Sequence, residues 1–322
     1  MNLDMDAQRL EAAGLEVRRD AVGNTFARWT GSRPELPAVA VGALGGLDAI
    51  RALQAAGYRP QHPVDLIRFA AAEPAGFGVD CLGSRLLTGA MPVWKAARLT
   101  GADGRTFDEW RAEMGFEGPI ESAAVGAGHY AAFVELQVER GGLLEKAGLP
   151  LGIATAFAAP AGLRVTVEAE AGQDAPGAAA EIALEVEKIS MGAGTANRAA
   201  GSVPGRVRLE IYVEDLDQAK RDAMVSQIAM ACRDTAQRRR LTVKAEVLHM
   251  DPRAECAAEV VDALARAARA HSLGCQRMAA GGRYDALFLS RIAPAGTLLA
   301  ANAAEAATGA LVLADAVGEL AG

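Results

Sequence analysis

Aromatic residues are few in this chain, 8 Phe, 4 Tyr and 3 Trp among 322. Ala and Gly are used heavily instead, which favours helices lying close on sheets. Cysteine is also sparse: Cys81, Cys232, Cys256 and Cys275 are scattered with no C-x-x-C pair. This excludes a disulfide framework and a structural zinc site, and suits a reducing compartment. Positive charge is in deficit, with a formal net charge of −7, against a nucleic-acid surface that would need a basic stripe. The dense basic run Arg238-Arg239-Arg240 follows a predicted helix, where it complements the helix C-terminus. No apolar run is long enough to span a bilayer. Met1 to Ala13 is acidic and amphipathic, so no signal peptide is expected and a cytoplasmic location is.

The chain has enough length for two domains, and with 51% hydrophobic and 23% charged residues it can bury a sizeable core. Pro37 to Val41 reads as a buried strand ending at Gly42. Leu47 to Ala56 has helical spacing, with Leu47, Ile50 and Leu53 on one face and Gly57 as its stop. Val64 to Ala71 and Ala131 to Val138 are further strands, so the spacing predicts a largely parallel sheet covered on both faces. The middle changes rhythm. Leu163 to Glu170, Arg206 to Glu214 and Leu241 to His249 alternate as half-buried strands. Helices are predicted over Pro176 to Ile189 and from an Asp215 N-cap to about Gln237. A weaker strand around Ile189 would complete a four-stranded, two-helix, ferredoxin-like layer, and Gly192 to Gly205 reads as a loop. From Asp251 the first pattern returns: a helix over Ala257 to His271, short strands at Ala286–Leu289 and Gly296–Leu299, and a last helix to Leu320. The expected organisation is therefore an α/β domain from 1–152 and 251–322, with a lid or dimerisation domain from 153–250 inserted.

Four motifs, in order along nearly the whole chain, resemble the hydantoinase/carbamoylase family of zinc-dependent amidohydrolases. They are Ala13-Gly-Leu-Glu-Val-Arg-Arg-Asp20-Ala-Val-Gly23-Asn24, Leu82-Gly-Ser-Arg-Leu86, Phe133-Val-Glu-Leu-Gln-Val-Glu-Arg-Gly-Gly-Leu-Leu-Glu145 and Gly281-Gly-Arg-Tyr-Asp285-Ala286. The resemblance implies a zinc-exopeptidase-like α/β domain with a dimerising lid, and two metal ions that activate water and polarise an amide.

The departures from that family fall on its metal positions. Gly-Ser-His-x-Asp-Thr here reads Gly42-Ala43-Leu44, with the bridging Asp missing before the helix at Leu47. The tandem Glu-Glu reads Ala72-Glu73, the general base replaced by alanine. Three ligand or site histidines correspond to Gln137, Glu170 and Tyr284, the last followed by Asp285. A Ser-His motif is missing after Leu298 to Ala301, and the lid's Asp-x-Arg reads Glu210-Ile-Tyr212. One carboxylate and a glutamine do not hold a dication against water, so neither metal nor other cofactor is expected.

The four histidines, His62, His129, His249 and His271, include no pair at H-x-x-x-H spacing that could rebuild the site. An acidic site from Glu73, Asp80 and Asp103, or a Cys81 nucleophile beside His129, has no support in the pattern. Gly42 to Gly46 lacks the spacing and Lys of a phosphate loop. Arg198, Arg206 and Arg283 are candidate anion ligands in the old cleft. These losses lead to the expectation of a catalytically inactive homologue, a structural or regulatory subunit paired with itself or with an active enzyme. Its alternatives are a binding protein for a small amide, ureide or anion, and a residual or repurposed C–N hydrolase.

Overall fold

The computed structural model describes residues 3–70, 76–170, 173–191, 195–203 and 205–322, and for 3–6, 191 and 195–203 the backbone alone. Its strands are β1 (Glu16–Arg19), β2 (Thr25–Trp29), β3 (Ala38–Gly42), β4 (Val64–Arg68), β5 (Tyr130–Val138), β6 (Leu151–Phe157) and β7 (Ala159–Glu168). They continue as β8 (Thr195–Val203), β9 (Arg206–Asp215), β10 (Thr242–Met250), β11 (Ala254–Glu255), β12 (Cys275–Ala280) and β13 (Ala295–Ala300). One sheet runs β1-β2-β4-β3-β5-β13-β6-β11 with β12 also paired to β6, and a second runs β10-β7-β9-β8.

The centre of the large sheet is parallel, β3 lying between β4 and β5, and β5 beside β13. Its flanks are not: β2 meets β4, and β6 meets β13, in antiparallel register. The sheet is therefore mixed rather than largely parallel, because the chain reverses at the β1–β2 hairpin and again through the short helix Leu143–Ala147 between β5 and β6. The strand Ala38-Val-Ala-Val-Gly42 is buried throughout, as a strand covered on both faces must be. On one face Ile50, Leu264, Val312 and Val317 of three helices pack on Val39, Val41 and Val134. On the other, Phe69, Phe133, Phe157 and Phe288 make a second core.

The small sheet is antiparallel. Its alternating residues Val165, Val167, Leu209 and Ile211 face the helices Ala175–Met191 and Gln218–Arg239. The molecule is thus a two-domain α/β fold, a large mixed sheet with a small antiparallel lid sheet.

Four local readings change. β8 occupies Thr195–Val203, inside the stretch expected to be a loop, while Ile189 belongs to the preceding helix. The long helix is capped by Asp217, whose carboxylate accepts from the amides of Ala219 and Lys220, and Asp215 instead accepts from Asp217 N. Ala286–Leu289 is the interior of a short buried helix, Asp285–Leu289, since a brief apolar run does not declare its period. The helix expected from Leu47 starts at Ala43, broken at Leu44 and at Gly45 with φ +69°.

The chain crosses between the two units at Pro160 and at Asp251. Asp251 N donates to Pro160 O at 2.9 Å. The buried guanidinium of Arg221 donates through Nη1 to the carbonyls of both Pro160 and Asp251. Among the described residues no helix is long and apolar enough to cross a membrane.

Candidate functional site

A cleft of about 520 Å³ opens where the ends of β5 and β12 meet the lid strand β9. Its polar walls are Glu139, Arg140, Tyr212, Glu214, Arg283 and Tyr284. The alternation of β9 explains the lid's share. Leu209, Ile211 and Val213 point into the lid core, so Tyr212 and Glu214 face the other way.

Glu214 is the cleft carboxyl with the most unusual setting. Its Oε2 accepts from Gly282 N at 2.7 Å and lies 3.1 Å from Tyr212 Oη, whose one hydrogen is shared between this carboxylate and Gly282 O at 2.9 Å. Burial pushes its pKa above the ordinary glutamate value, and these two hydrogen bonds only partly offset the effect. Tyr212 and Tyr284 are held neutral because burial raises both phenols far out of reach of ordinary pH. Tyr284 Oη donates to Gly281 O at 3.0 Å. Gly282 has φ +144°, and a Cβ there would lie 3.0 Å from the Tyr284 ring, so glycine is required for the loop to pass. Glu139 plays a structural part instead. Its carboxylate accepts from the amides of Gly141, Leu143 and Leu144, fixing the turn after β5.

Beneath the cleft lies a carboxyl pair. Glu135 Oε1 accepts from Ala286 N at 3.0 Å and Thr297 Oγ1 at 3.1 Å, and its Oε2 accepts from Gln137 Nε2 at 3.0 Å. Asp285 accepts from Ser84 Oγ at 2.6 Å. Burial raises both pKa values, and the charge of Asp285 raises Glu135 further, so the pair does not hold two negative charges readily. Gly42 lets β3 close over this pair, since a Cβ there would sit 2.8 Å from Glu135 Cβ.

The positions singled out from sequence are dispersed. Leu44 is exposed at the helix break, and Gln137 is half-buried against Glu135. Tyr284 lines the cleft, with Asp285 behind it. Glu170 lies on an exposed turn beyond β7, its amide bound to Gln173 Oε1. Ala72 and Glu73 lie outside the described residues. Of the three arginines, Arg283 lines the cleft with its guanidinium 5.3 Å from the Tyr212 ring centroid, while Arg206 lines a different concavity on the lid. The backbone of Arg198 is in β8, and its side chain is outside the described set. Cys81 is fully buried with its thiol pKa pushed up, and His129 packs edge-on to Tyr130. Sequence reasoning gave no role to Glu214 or Glu135, and it read Tyr212 only as the departure from the lid's Asp-x-Arg strand. The alternation of β9 marked Tyr212 and Glu214 as one face of a strand, but nothing in it announced the loop at Gly282 that meets them.

The donor set does not fit the dication that the resemblance implies. Among the described residues no group of three or more His, Cys, Asp or Glu is placed to hold a metal ion. Both oxygens of Glu135 are already met by donors, and Gln137 turns its NH₂ group, not its oxygen, toward that carboxylate. No step is therefore routed through a metal.

Comparison with known proteins settles the kinship. No family model matches the chain. The ureidoglycolate hydrolase of Arabidopsis thaliana is 34% identical across 92% of this chain and 73% of its own length. The crystal structure of AtUAH in complex with glyoxylate superposes with TM-score 0.90 at 30% identity, covering 100% of this chain and 91% of that one. The same protein in complex with (S)-hydroxyglycine gives 0.87. A hydantoinase/carbamoylase family amidase from Burkholderia ambifaria is 28% identical with TM-score 0.71, over 99% of this chain and 89% of its own. A two-domain fold of the amidohydrolase-like class is thus what the chain shares with these proteins. The chain belongs to the hydantoinase/carbamoylase family, and it lies near its ureidoglycolate hydrolases.

This overturns the expectation of a catalytically inactive structural or regulatory subunit. A relative at 34% identity is a hydrolase, and a protein matched over the whole of this chain has been captured with small two-carbon acids. Losing ligand-type residues removes one way of activating water. It does not empty the cleft of polar and titratable groups.

Proposed function

We propose that this protein hydrolyses a C–N bond in a small carboxylate-bearing ureide or amide bound between β9 and the Gly281–Tyr284 loop. The observation that carries the reading is Glu214: a cleft-lining carboxyl with a raised pKa, oriented by Gly282 N and Tyr212 Oη. As a carboxylate it takes a proton from water as the water oxygen bonds to the carbonyl carbon. The tetrahedral adduct then collapses, the C–N bond breaks, and Glu214 returns the proton to the leaving nitrogen. The neutral phenol of Tyr284 lines the cleft, and by turning its hydrogen from Gly281 O it can donate to the oxygen that gains charge. Arg140 and Arg283 supply the cations for the substrate carboxylate. The lid, taken from Ala159 to Met250, has the strand and helix order of a ferredoxin-like layer and forms the upper wall. Four free thiols suit the reducing cytoplasm as its location.

Ureidoglycolate, allantoate and N-carbamoyl amino acids are offered to the purified protein, with and without added zinc or manganese, and release of ammonia or glyoxylate is followed. Turnover of one ureide is expected, reduced by roughly 10²-fold or more in Glu214→Gln. Absence of turnover on all of them, in every metal condition, retires the reading. A ligand-dependent rise in melting temperature without turnover would leave the cleft as a binding site only.

A further inference from the structure

The lid sheet has a second concave surface, on the face turned away from its helices. Its register builds three cross-strand rows there: Glu246–Arg164–Glu210, Lys244–Thr166–Arg208 and Thr242–Glu168–Arg206. In the middle row a short threonine stands between two long cations. A hollow of about 300 Å³ lies over this face, closed on one side by Thr100 of the large domain.

The charges around it are unevenly met. Arg164 is buried and committed, donating to Glu210 at 2.7 Å, Thr100 Oγ1 at 3.1 Å and Phe77 O at 2.8 Å. Arg206 with Glu168, and Lys244 with Glu246, are loose contacts at 3.6 Å between exposed side chains. Arg208 has no ion pair among the described residues, and its Nη1 donates to Gly101 O at 2.8 Å. Burial and then the charge of Arg164 lower its pKa, and Glu210 offsets them only in part, so Arg208 lies among cations with no described carboxylate paired to it directly.

We propose that this hollow is a binding site for a phosphate-sized oxyanion, held between Arg208 and Lys244 above the Thr166 hydroxyl. A guanidinium, an ammonium and hydroxyls from Thr166, Thr242 and Thr100 are the donor types that tetrahedral oxyanions take. Glu168 and Glu246, in loose contact with Arg206 and Lys244 at the rim, compete with the anion for those cations and limit its affinity. The site is separate from the C–N cleft. It spans β7, β9 and β10 of the lid and the Thr100–Gly101 turn of the large domain, so an anion bound there fastens one unit to the other.

Sodium phosphate is titrated into the full chain at constant ionic strength, with sodium chloride as the balancing salt. Binding is read by calorimetry and by thermal unfolding. A saturable stabilisation is expected, weakened roughly tenfold in both Arg208→Gln and Lys244→Gln and unchanged in Arg283→Gln. Lys244 is an exposed side chain, so its variant keeps the fold even where Arg208→Gln does not. The proposal fails if phosphate does no more than chloride, or if Lys244→Gln binds as the parent does. It fails equally if Arg283→Gln abolishes the effect, which would put the anion in the cleft.

Discussion

Arg85 and Asp251, far apart in sequence, meet at 2.7 Å where the chain re-enters the large domain from the lid. The Arg85 side chain is wholly buried, and its other nitrogen reaches Asp80 at 3.1 Å. His249 contributes contacts to both carboxylates, at 2.9 Å to Asp251 and 3.1 Å to Asp80. Removing the arginine strands two buried acids. Arg85→Met is expected to cost about 3–5 kcal/mol in denaturant unfolding, because the charges left behind lose their partner in a site water does not reach. A loss below about 1 kcal/mol would mean that the junction is wetter than its packing indicates.

The same junction sets a pH response. Asp80 and Asp251 are held below the usual carboxylate range: burial raises them, but His249 and Arg85 together outweigh it. A lowered pKa gives stability that is present above the ordinary value of 3.8 and disappears as pH falls through the folded-state value. Acid unfolding of the parent should therefore steepen below that value. In Asp251→Asn this acid loss should be smaller, measured as unfolding free energy against pH.

Glu135 titrates in the opposite sense. Its raised pKa means stability is greatest below the ordinary value of 4.5 and declines as pH rises through the folded-state value. Glu135→Gln abolishes that decline. The variant should be relatively more stable at about pH 8 than at about pH 5, when each is compared with the parent at the same pH. Equal differences at the two values would show that the carboxyl is not strained by its surroundings.

For turnover, the raised pKa of Glu214 places the acid limb of kcat/KM above the ordinary 4.5 of a glutamate. Tyr212→Phe removes one hydrogen bond to the ionised form, so the limb should move further up while the fold is retained. A limb that stays fixed in Tyr212→Phe assigns the titration to another group.

Gly282→Ala tests the loop. The backbone at φ +144° and the Tyr284 ring both resist a side chain, so a destabilisation of about 1–3 kcal/mol is expected. A loss of kcat/KM should accompany it, as Gly282 N and Tyr284 are displaced together.

Much of the scaffold was legible because its motifs are packing devices. Asn24, from the Asp20–Asn24 motif, donates to Gly83 O at 3.2 Å and accepts from Ala70 N at 2.9 Å. Gly83 is glycine because a Cβ would strike Asn24 Oδ1 at 2.2 Å. Its neighbour Ser84 binds Asp285, and Arg85 binds Asp251. These contacts tie three of the recognised motifs to one another, so residue identity at each is dictated by the others. The cleft was less legible. Glu214 gains its character from burial and from an amide in a loop that comes much later in the chain, and neither leaves a trace in local pattern. β8 was missed because its segment, rich in Gly and Ala, carries little of the β-branched and aromatic bias that marks a strand. Activity was misjudged for a further reason: reading residue types only at expected ligand positions says nothing about groups that replace them from elsewhere.

The two crossings at Pro160 and Asp251, joined by a backbone hydrogen bond and by Arg221, put the lid's ends side by side. For protein engineering this makes the lid a cassette. A short linker across that gap would close the large domain without it. Departure and return coincide at this seam, so a foreign domain with similarly close ends could be seated in its place.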